Sequence, residues 1–361
     1  MSHSLDKPLL YVTSVLLIGG ILILASSSTA VSHKTLGSAF YLSLRQLIFA
    51  AVGMAVLFLT SRVPYSFWKK LSLPLMIVSF IFLALLFMPD LGYSYGGAKR
   101  WLQLGFFSFQ PAELLKFSFV VYLASWLDAR RQEAASTSYG FIPFALMLSI
   151  VGIFLIMQPD VGTLGVILTT AVVLYFLGGG RKSQITTLFL FGGALFYLVV
   201  KMAPYRLNRF LVFFSPGLDP EGIGYQINQA LIAIGSGGFW GLGFGRSLQK
   251  YYYLPEPVGD SIFAIFAEEM GFLGVLLLIS LFGFLFWRGV IISKQAPDIF
   301  GKLLASGLAV SIMGQALINM AAISGLLPLT GIPLPFISQG GTSLVMTLAS
   351  IGVLLNISKH V

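Results

Sequence analysis

The feature that most constrains this chain is a series of ten apolar runs, each close to the length needed to cross a bilayer. They lie at about 9–29, 46–61, 72–89, 111–127, 141–157, 160–178, 184–202, 261–287, 302–325 and 341–357. Hydrophobic residues make up 57% of the 361 residues and charged residues 10%, which excludes a soluble globular protein. We therefore predict an all-α polytopic membrane protein in which ten transmembrane helices form a single domain over residues 1–361. The first run lacks a small-residue cleavage site, so we interpret it as a retained helix rather than a signal peptide.

The distribution of Lys and Arg predicts how this bundle is oriented. One set of connections carries twelve basic residues, whereas the short loops on the opposite side carry four. The positive-inside rule then places both termini in the cytoplasm and the long connection 203–260 outside. The net charge of +9 is spread through loops, and no nucleic-acid-binding motif occurs, so anionic lipid is the expected partner of these charges. The chain has no cysteine, which excludes disulfides and thiol chemistry.

Asp260 is the leading candidate for chemistry because it stands where the long outer connection becomes the eighth apolar run. Two prolines and a glycine precede it in the sequence LPEPVGD, and they restrict the approach of the chain. Partial burial there would raise the pKa of the carboxyl group, as a general base requires. The alternative is that Asp260 only caps the helix.

The starts of the even-numbered runs suggest a second outer feature. Runs four and six both begin with Gln-Pro, at 110–111 and 158–159, and runs eight and ten begin near 260–261 and 340–343. Helix N-termini carry partial positive charge and free N–H groups, so a ring of them suits a phosphate group. Ordinary capping explains the same pattern if the four starts do not meet in space.

Further polar residues lie near the predicted outer surface. Glu113 and Lys116 are three residues apart, so they share a helix face and can form an ion pair that is either functional or structural. Asp160 lies in the first turn of run six, where it could cap, bind a cation or hold substrate. Outer cations that could neutralise a diphosphate, or merely contact lipid headgroups, are Lys99, Arg100, Arg206, Arg209, Arg246 and Lys250. All three histidines lie in loops or tails, so no histidine-based metal or catalytic site is expected.

The outer connection also contains a predicted helix at 224–238. Its apolar residues recur at helical spacing, which favours an amphipathic helix on the membrane surface. In that interpretation Tyr225, Ile227, Leu231 and Ile234 face lipid.

Short motifs spread over nearly the whole chain carry a resemblance. They are GAKRW at 97–101, QPAE at 110–113 with Lys116, QPD at 158–160, GYQ at 224–226, AIGSGG at 233–238, LPE at 254–256 and GIPLP at 331–335 with Ser338, Gly340 and Gly341. The sequence resembles the SEDS family (shape, elongation, division and sporulation), polytopic peptidoglycan glycosyltransferases that include FtsW and RodA. The stretch 246–250 and the tyrosines before Leu254 look more like FtsW than RodA, and a sporulation relative is the alternative.

The resemblance implies that the chain polymerises lipid II at the outer leaflet of the bacterial cytoplasmic membrane. Asp260 would accept the proton of the attacking sugar hydroxyl, and polyprenyl diphosphate would leave with inversion. Outer cations, helix N-termini or a divalent cation such as Mg²⁺ or Mn²⁺ would stabilise the diphosphate. The residues expected to bind substrate are Glu113, Lys116, Asp160, Lys99, Arg100, Arg246, Lys250, Glu256 and Ser338. Expected partners are a single-pass class B penicillin-binding protein (a transpeptidase) and other divisome or elongasome membrane proteins.

Two departures from the family pattern keep alternatives open. The family usually carries His-Thr directly before the aspartate, where this chain has Val258 and Gly259, and Gln339 stands where tyrosine is common. A scaffold without catalysis, recruiting a transpeptidase, is therefore one alternative. A flippase for lipid-linked precursors is the other, although polar groups become sparse beyond Glu269, toward the cytoplasmic side.

Overall fold

The computed structural model of the chain describes residues 5–88, 91–95, 98–104, 107–201, 204–215 and 219–360. Within these ranges the chain forms twelve α-helices and one three-stranded antiparallel sheet in the order β1-β2-β3. The helices are α1 Lys7–Leu36, α2 Tyr41–Arg62, α3 Tyr65–Leu85, α4 Pro111–Ala129, α5 Ile142–Met157, α6 Val161–Leu177, α7 Lys182–Lys201, α8 Pro204–Phe214, α9 Tyr225–Ser236, α10 Ile262–Gln295, α11 Ile299–Ile323 and α12 Gly341–Ser358. The strands are β1 Gly92–Tyr95, β2 Ala98–Leu104 and β3 Phe107–Phe109, and a π-helical turn, Thr137–Phe141, precedes α5.

Seven helical segments in the described part of the chain are long and apolar enough to cross a membrane. They are α1, α2, α3, α5 with its π-helical turn, α10, α11 and α12. The other three predicted runs are helical too, as α4, α6 and α7. However, α4 carries Glu113, Lys116 and Asp128, and α6 has only 17 residues. The fold is thus mostly helical with several candidate spans, and a count of ten spans remains a prediction.

The helices pack closely where small residues let their backbones approach. A Cβ added to Gly352 of α12 would lie 1.9 Å from Oγ1 of Thr60 and 2.4 Å from the carbonyl oxygen of Leu57, both on α2. Thr60 Oγ1 also donates to the carbonyl of Ala349 on α12 at 3.2 Å. Small residues and hydroxyl-to-backbone bonds of this kind hold helices together where the hydrophobic effect contributes little.

The connection predicted as an outer loop at 203–260 contains two helices, α8 and α9. The helix expected at 224–238 is confirmed by α9, but its orientation differs from the prediction. Ile227, Ala230 and Ala233 are buried, since α9 packs against α10 and α11. Ile227 therefore faces protein rather than lipid, while Leu231 stays exposed at 38% of its surface.

The long helix α10 is broken at Gly271, where φ is 62° and ψ is −166°. The break frees backbone groups on both sides, and residues 237–250, here called the docked segment, bond to them. The N–H groups of Leu242 and Gly243 donate to the carbonyls of Glu268 and Glu269, both at 3.0 Å, and the N–H of Phe272 donates to a docked-segment carbonyl at 2.9 Å. Irregular backbone is tolerated near a membrane only where its polar groups are satisfied in this way.

We expect Gly271→Ala to destabilise the protein. The conformation of Gly271 is nearly exclusive to glycine, which alone costs about 1–3 kcal/mol for another residue. A Cβ there would also lie 2.3 Å from the backbone nitrogen of Gly241 in the docked segment. Gly283→Ala is the matched control, because no atom lies within 4 Å of its Cβ position on the same helix. Thermal unfolding in detergent should show a lower melting temperature for Gly271→Ala only; equal melting of both variants would contradict the role of the break.

Candidate functional site

The N-termini of helices α4, α10 and α12 meet at one end of the bundle. Ser338, just before α12, donates from its hydroxyl to the carbonyl of Gly259, just before α10, at 2.7 Å. The backbone N–H of Gln110, which precedes α4, donates to Oγ1 of Thr342 at the start of α12, at 3.4 Å. Three of the four starts that the sequence singled out are therefore joined directly.

Arg100 on strand β2 adds the start of α6 to this group. Its Nε donates to the carbonyl of Gln158 at 3.4 Å, and its Nη2 donates to the carbonyl of Pro159. A Cβ on Gly331 would lie 3.5 Å from Nη1 of Arg100 and 3.8 Å from Oδ2 of Asp260. The guanidinium group and the carboxylate thus lie against the same glycine, and a side chain at this position would enter the space between them.

Asp260 lies just before α10 with its side chain half-buried in this convergence. Nε2 of Gln226 donates to its Oδ2 at 3.5 Å and to the hydroxyl of Ser261 at 3.0 Å. Nδ2 of Asn319 donates to its backbone carbonyl at 2.9 Å. The N-cap of α10 is Ser261, and no side chain caps the helix, so the interpretation of Asp260 as a cap is wrong. Its Oδ1 is buried without a partner among the described residues, which leaves one carboxylate oxygen for another role.

The surroundings of Asp260 raise the pKa of its carboxyl group to about 6. Burial is the largest cause, and the like charge of Glu256 adds to it. The guanidinium of Arg209 and the hydrogen bond from Gln226 act in the opposite direction. A carboxyl group with this pKa is ionised at neutral pH and still basic enough to accept a proton in a reaction.

Two side chains at the start of α6 add polar atoms to the interior. Oδ1 of Asp160 accepts from the N–H of Thr163 at 3.2 Å and caps the helix, but its Oδ2 has no partner among the described residues. Both side-chain polar atoms of Gln158 also lack partners there, although Gln158 and Asp160 are each 1% exposed. Buried polar atoms are nearly always bonded, so these atoms indicate a site that a ligand or water completes.

The predicted ion pair between Glu113 and Lys116 is confirmed. Nζ of Lys116 lies 2.8 and 2.9 Å from the two carboxylate oxygens, and the side chains are 8% and 3% exposed. Nζ also donates to Oε1 of Gln315, whose Nε2 donates to the carbonyl of Pro333 at 2.8 Å. The pair is therefore connected to the 328–340 loop, which passes Asp260 at Gly331.

Lys250 lies elsewhere, inside a buried cluster at the break in α10. Its Nζ is 2.9 Å from Oε1 of Glu269 and donates to Ser26 at 3.2 Å and to the carbonyl of Gly245 at 2.6 Å. Its side chain is 2% exposed. Because its ammonium group is already held by three oxygen atoms inside the protein, Lys250 is unsuited to bind a diphosphate, which corrects the sequence-based expectation.

The remaining predicted ligands take different positions. Lys99 and Arg246 are exposed, on β2 and in the docked segment, and Glu256 is exposed close to Asp260. The hydroxyl of Ser338 is buried and accepts from the N–H of Leu334 at 2.8 Å, so it fixes the loop before α12 rather than pointing at solvent. The side chain of Arg206 lies outside the described residues.

Sequence reasoning assigned no role at this site to Gln226 or Asn319, although both bond to Asp260 directly. Gln226 lies in the GYQ motif, and Asn319 is a polar residue inside an apolar run, a pattern that marks functional positions in membrane helices. The sheet was also missed, because strands of three to seven residues give little periodic signal.

No group of three His, Cys, Asp or Glu side chains able to hold a metal ion occurs in the described part of the chain. Asp260 and Glu256 supply only two carboxylates. These residues do not form a resident metal site, and we derive no step through a metal.

The chain is similar to proteins of one family over nearly its whole length. The profile of the "Cell cycle protein" family that comprises FtsW, RodA and SpoVE matches residues 7–361. Stage V sporulation protein E of Bacillus subtilis is 39% identical over 355 residues, covering 98% of this chain and 97% of that protein. The probable peptidoglycan glycosyltransferase FtsW of Trichlorobacter lovleyi is 38% identical over 359 residues, covering 98% and 93%.

Solved structures share the whole fold. One is a chain of a peptidoglycan synthase complex, described as coordinating polymerization and crosslinking, with a TM-score of 0.81, 28% identity and coverage of 98% of this chain and 97% of that one. Another is the rod shape determining protein RodA of Thermus thermophilus, with a TM-score of 0.72, 27% identity and coverage of 99% and 97%. Matches of this length and identity confirm the resemblance, and the chain belongs to the FtsW/RodA/SpoVE family of cell cycle proteins.

Proposed function

We propose that this protein is a peptidoglycan glycosyltransferase that polymerises lipid II at the outer face of the bacterial cytoplasmic membrane, for cell division or cell shape. The observation that carries the proposal is Asp260, a half-buried carboxylate with a raised pKa where helix N-termini and Arg100 converge. We further propose that ten helices span the membrane, that both termini are cytoplasmic and that the 203–260 connection lies outside. Relatives named as probable peptidoglycan glycosyltransferases match almost the whole chain.

In the proposed reaction, a hydroxyl of the acceptor sugar attacks the anomeric carbon of the lipid-linked donor. A bond forms between that oxygen and the anomeric carbon, while the bond from the carbon to the diphosphate oxygen breaks with its electron pair. Asp260 accepts the hydroxyl proton as the bond forms, and attack opposite the leaving group inverts the anomeric centre. Arg100, Arg209, Lys99 and the helix N-termini stabilise the charge on the leaving diphosphate. A divalent cation bound to the diphosphate would add to this stabilisation.

The partner we propose is a single-pass class B penicillin-binding protein, within the divisome or elongasome. A structural neighbour at TM-score 0.81 belongs to a complex described as a peptidoglycan synthase. Polymerisation and cross-linking are therefore joined in that relative, and the same association supports our proposal for this chain.

The direct test gives the purified protein lipid II, with and without such a partner, and separates the products by gel electrophoresis. We expect glycan strands. If the protein is reconstituted in vesicles, movement of lipid II to the opposite leaflet without polymer would instead favour a flippase. Polymer formed by neither preparation, with intact binding of the transpeptidase, would favour a scaffold.

The pKa of Asp260 predicts how activity depends on pH. A general base must be ionised, so kcat/KM should rise with pH through about 6 and level off above it. Because the charge of Glu256 raises this pKa, Glu256→Gln should move the acidic limb to lower pH. Glu221→Gln is the control, since Glu221 is exposed and has no part in this pKa. An unmoved limb in Glu256→Gln would show that another group controls the profile.

A further inference from the structure

An apolar cleft lies between α8, α9 and the turn that follows α11. The cavity measures about 110 Å³ and is partly open. Val212 of α8, Ile227 and Leu231 of α9, and Leu327 and Pro328 of the turn form its walls.

Two residues of the cleft, Ile227 and Arg209, connect it to Asp260. Ile227 directly follows Gln226, whose amide donates to Asp260 and Ser261. Arg209 lines the cleft, its Nη1 donates to the carbonyl of Leu329 at 2.7 Å, and its charge acts on Asp260. A ligand in the cleft therefore meets a cation whose charge also acts on Asp260.

The chemistry of the walls indicates an amphipathic anionic ligand. Leu231, Leu327 and Ile223 keep 38%, 41% and 40% of their surfaces exposed although they surround one cavity. Among the described residues that line the cleft, Arg209 is the charged one and none is acidic. The nearby carboxylate of Asp219 accepts from the N–H groups of its own turn, at 3.0 and 3.1 Å.

We propose that this cleft binds the isoprenoid units next to the diphosphate of the lipid-linked substrate, with Arg209 against the diphosphate. The inference rests on the proposed function and adds a location for the lipid. A guanidinium group pairs with phosphate oxygens through parallel N–H bonds, while the branched chain covers the exposed leucines. This placement puts the anomeric carbon, which the diphosphate carries, on the side of Asp260.

The experiment uses a polyprenyl diphosphate that carries a diazirine in an isoprene unit near the diphosphate. The full-length protein in detergent is irradiated with this probe and digested, and labelled peptides are identified by mass spectrometry. We expect labelling within 223–231 and 324–329. Leu231→Trp and Leu327→Trp, which fill the cleft from α9 and from the turn, should reduce labelling at least about tenfold, a loss of ~1.4 kcal/mol in binding.

Ile232→Trp is the matched control, because Ile232 is an exposed neighbour on α9 that does not line the cleft. It should label like the unmodified protein, and melting temperatures should confirm that all three variants are folded. Unlabelled polyprenyl diphosphate should compete, whereas an excess of phosphatidylglycerol should not.

Several results would overturn the proposal: equal labelling in the filled variants and the control, labelling concentrated at another surface, or equal competition by phosphatidylglycerol. The readout is binding, so it separates the two hypotheses. Labelling of the cleft by a protein that makes no polymer would refute the proposed function alone. Polymerisation without labelling of the cleft would refute this inference alone.

Discussion

Replacement of Asp260 by asparagine is expected to reduce lipid II polymerisation by at least about 10²-fold, within the range attributed to general bases. The amide has nearly the same shape and can keep the bond with Gln226, but it cannot accept the acceptor hydroxyl's proton. Initial rates of glycan formation, measured with and without the transpeptidase partner, test this. A rate close to that of the unmodified protein would exclude Asp260 as the base.

Stability separates a catalytic role of Asp260 from a structural one. An acid whose pKa is raised by folding is favoured in its protonated form, so its contribution to stability is lost as the pH rises through about 6. At neutral pH the ionised carboxylate therefore opposes folding, and asparagine removes this cost. The melting temperature of Asp260→Asn should not fall at pH 7.5, and a clear fall would indicate that inactivity results from misfolding.

The positions of most helices could be predicted from the sequence because lipid leaves an apolar run few alternatives to a helix. The run at 341–357 became Gly341–Ser358, and the run at 111–127 became Pro111–Ala129. The break in α10 could not be predicted, because it depends on bonds between the docked segment and residues 268–273, far apart in sequence.

The residues of the candidate site could likewise be predicted only in part. Asp260 was identifiable because prolines and a glycine lead into a helix start, and Glu113 and Lys116 were identifiable from their spacing of three. Lys250 was wrongly expected to bind substrate, since its charge alone does not reveal that Glu269 is its partner across the break. Long-range pairing, rather than local propensity, decides which of the outer cations are available to a substrate.

The buried pair of Glu113 and Lys116 provides the second large effect. We expect Glu113→Gln to lower the free energy of unfolding by ~3–5 kcal/mol, because Lys116 then remains charged in a buried setting. For a chain of this length that corresponds to a melting temperature lower by about 5 °C. Glu113→Gln/Lys116→Met should recover part of the loss, since it removes the unpaired charge, while the amides at position 113 and of Gln315 both lose the Lys116 donor.

The ion pair of Lys69 and Asp128 is the matched control for this comparison. Its atoms are 2.5 Å apart, comparable to the buried pair, but Lys69 is 45% exposed. Solvent screens such a pair, so Asp128→Asn should cost no more than ~1 kcal/mol. Equal melting shifts for Glu113→Gln and Asp128→Asn would show that burial does not set the strength of these pairs. A large shift for Glu113→Gln alone, with polymerisation restored along with stability in the double variant, would assign the pair a structural rather than a substrate-binding role.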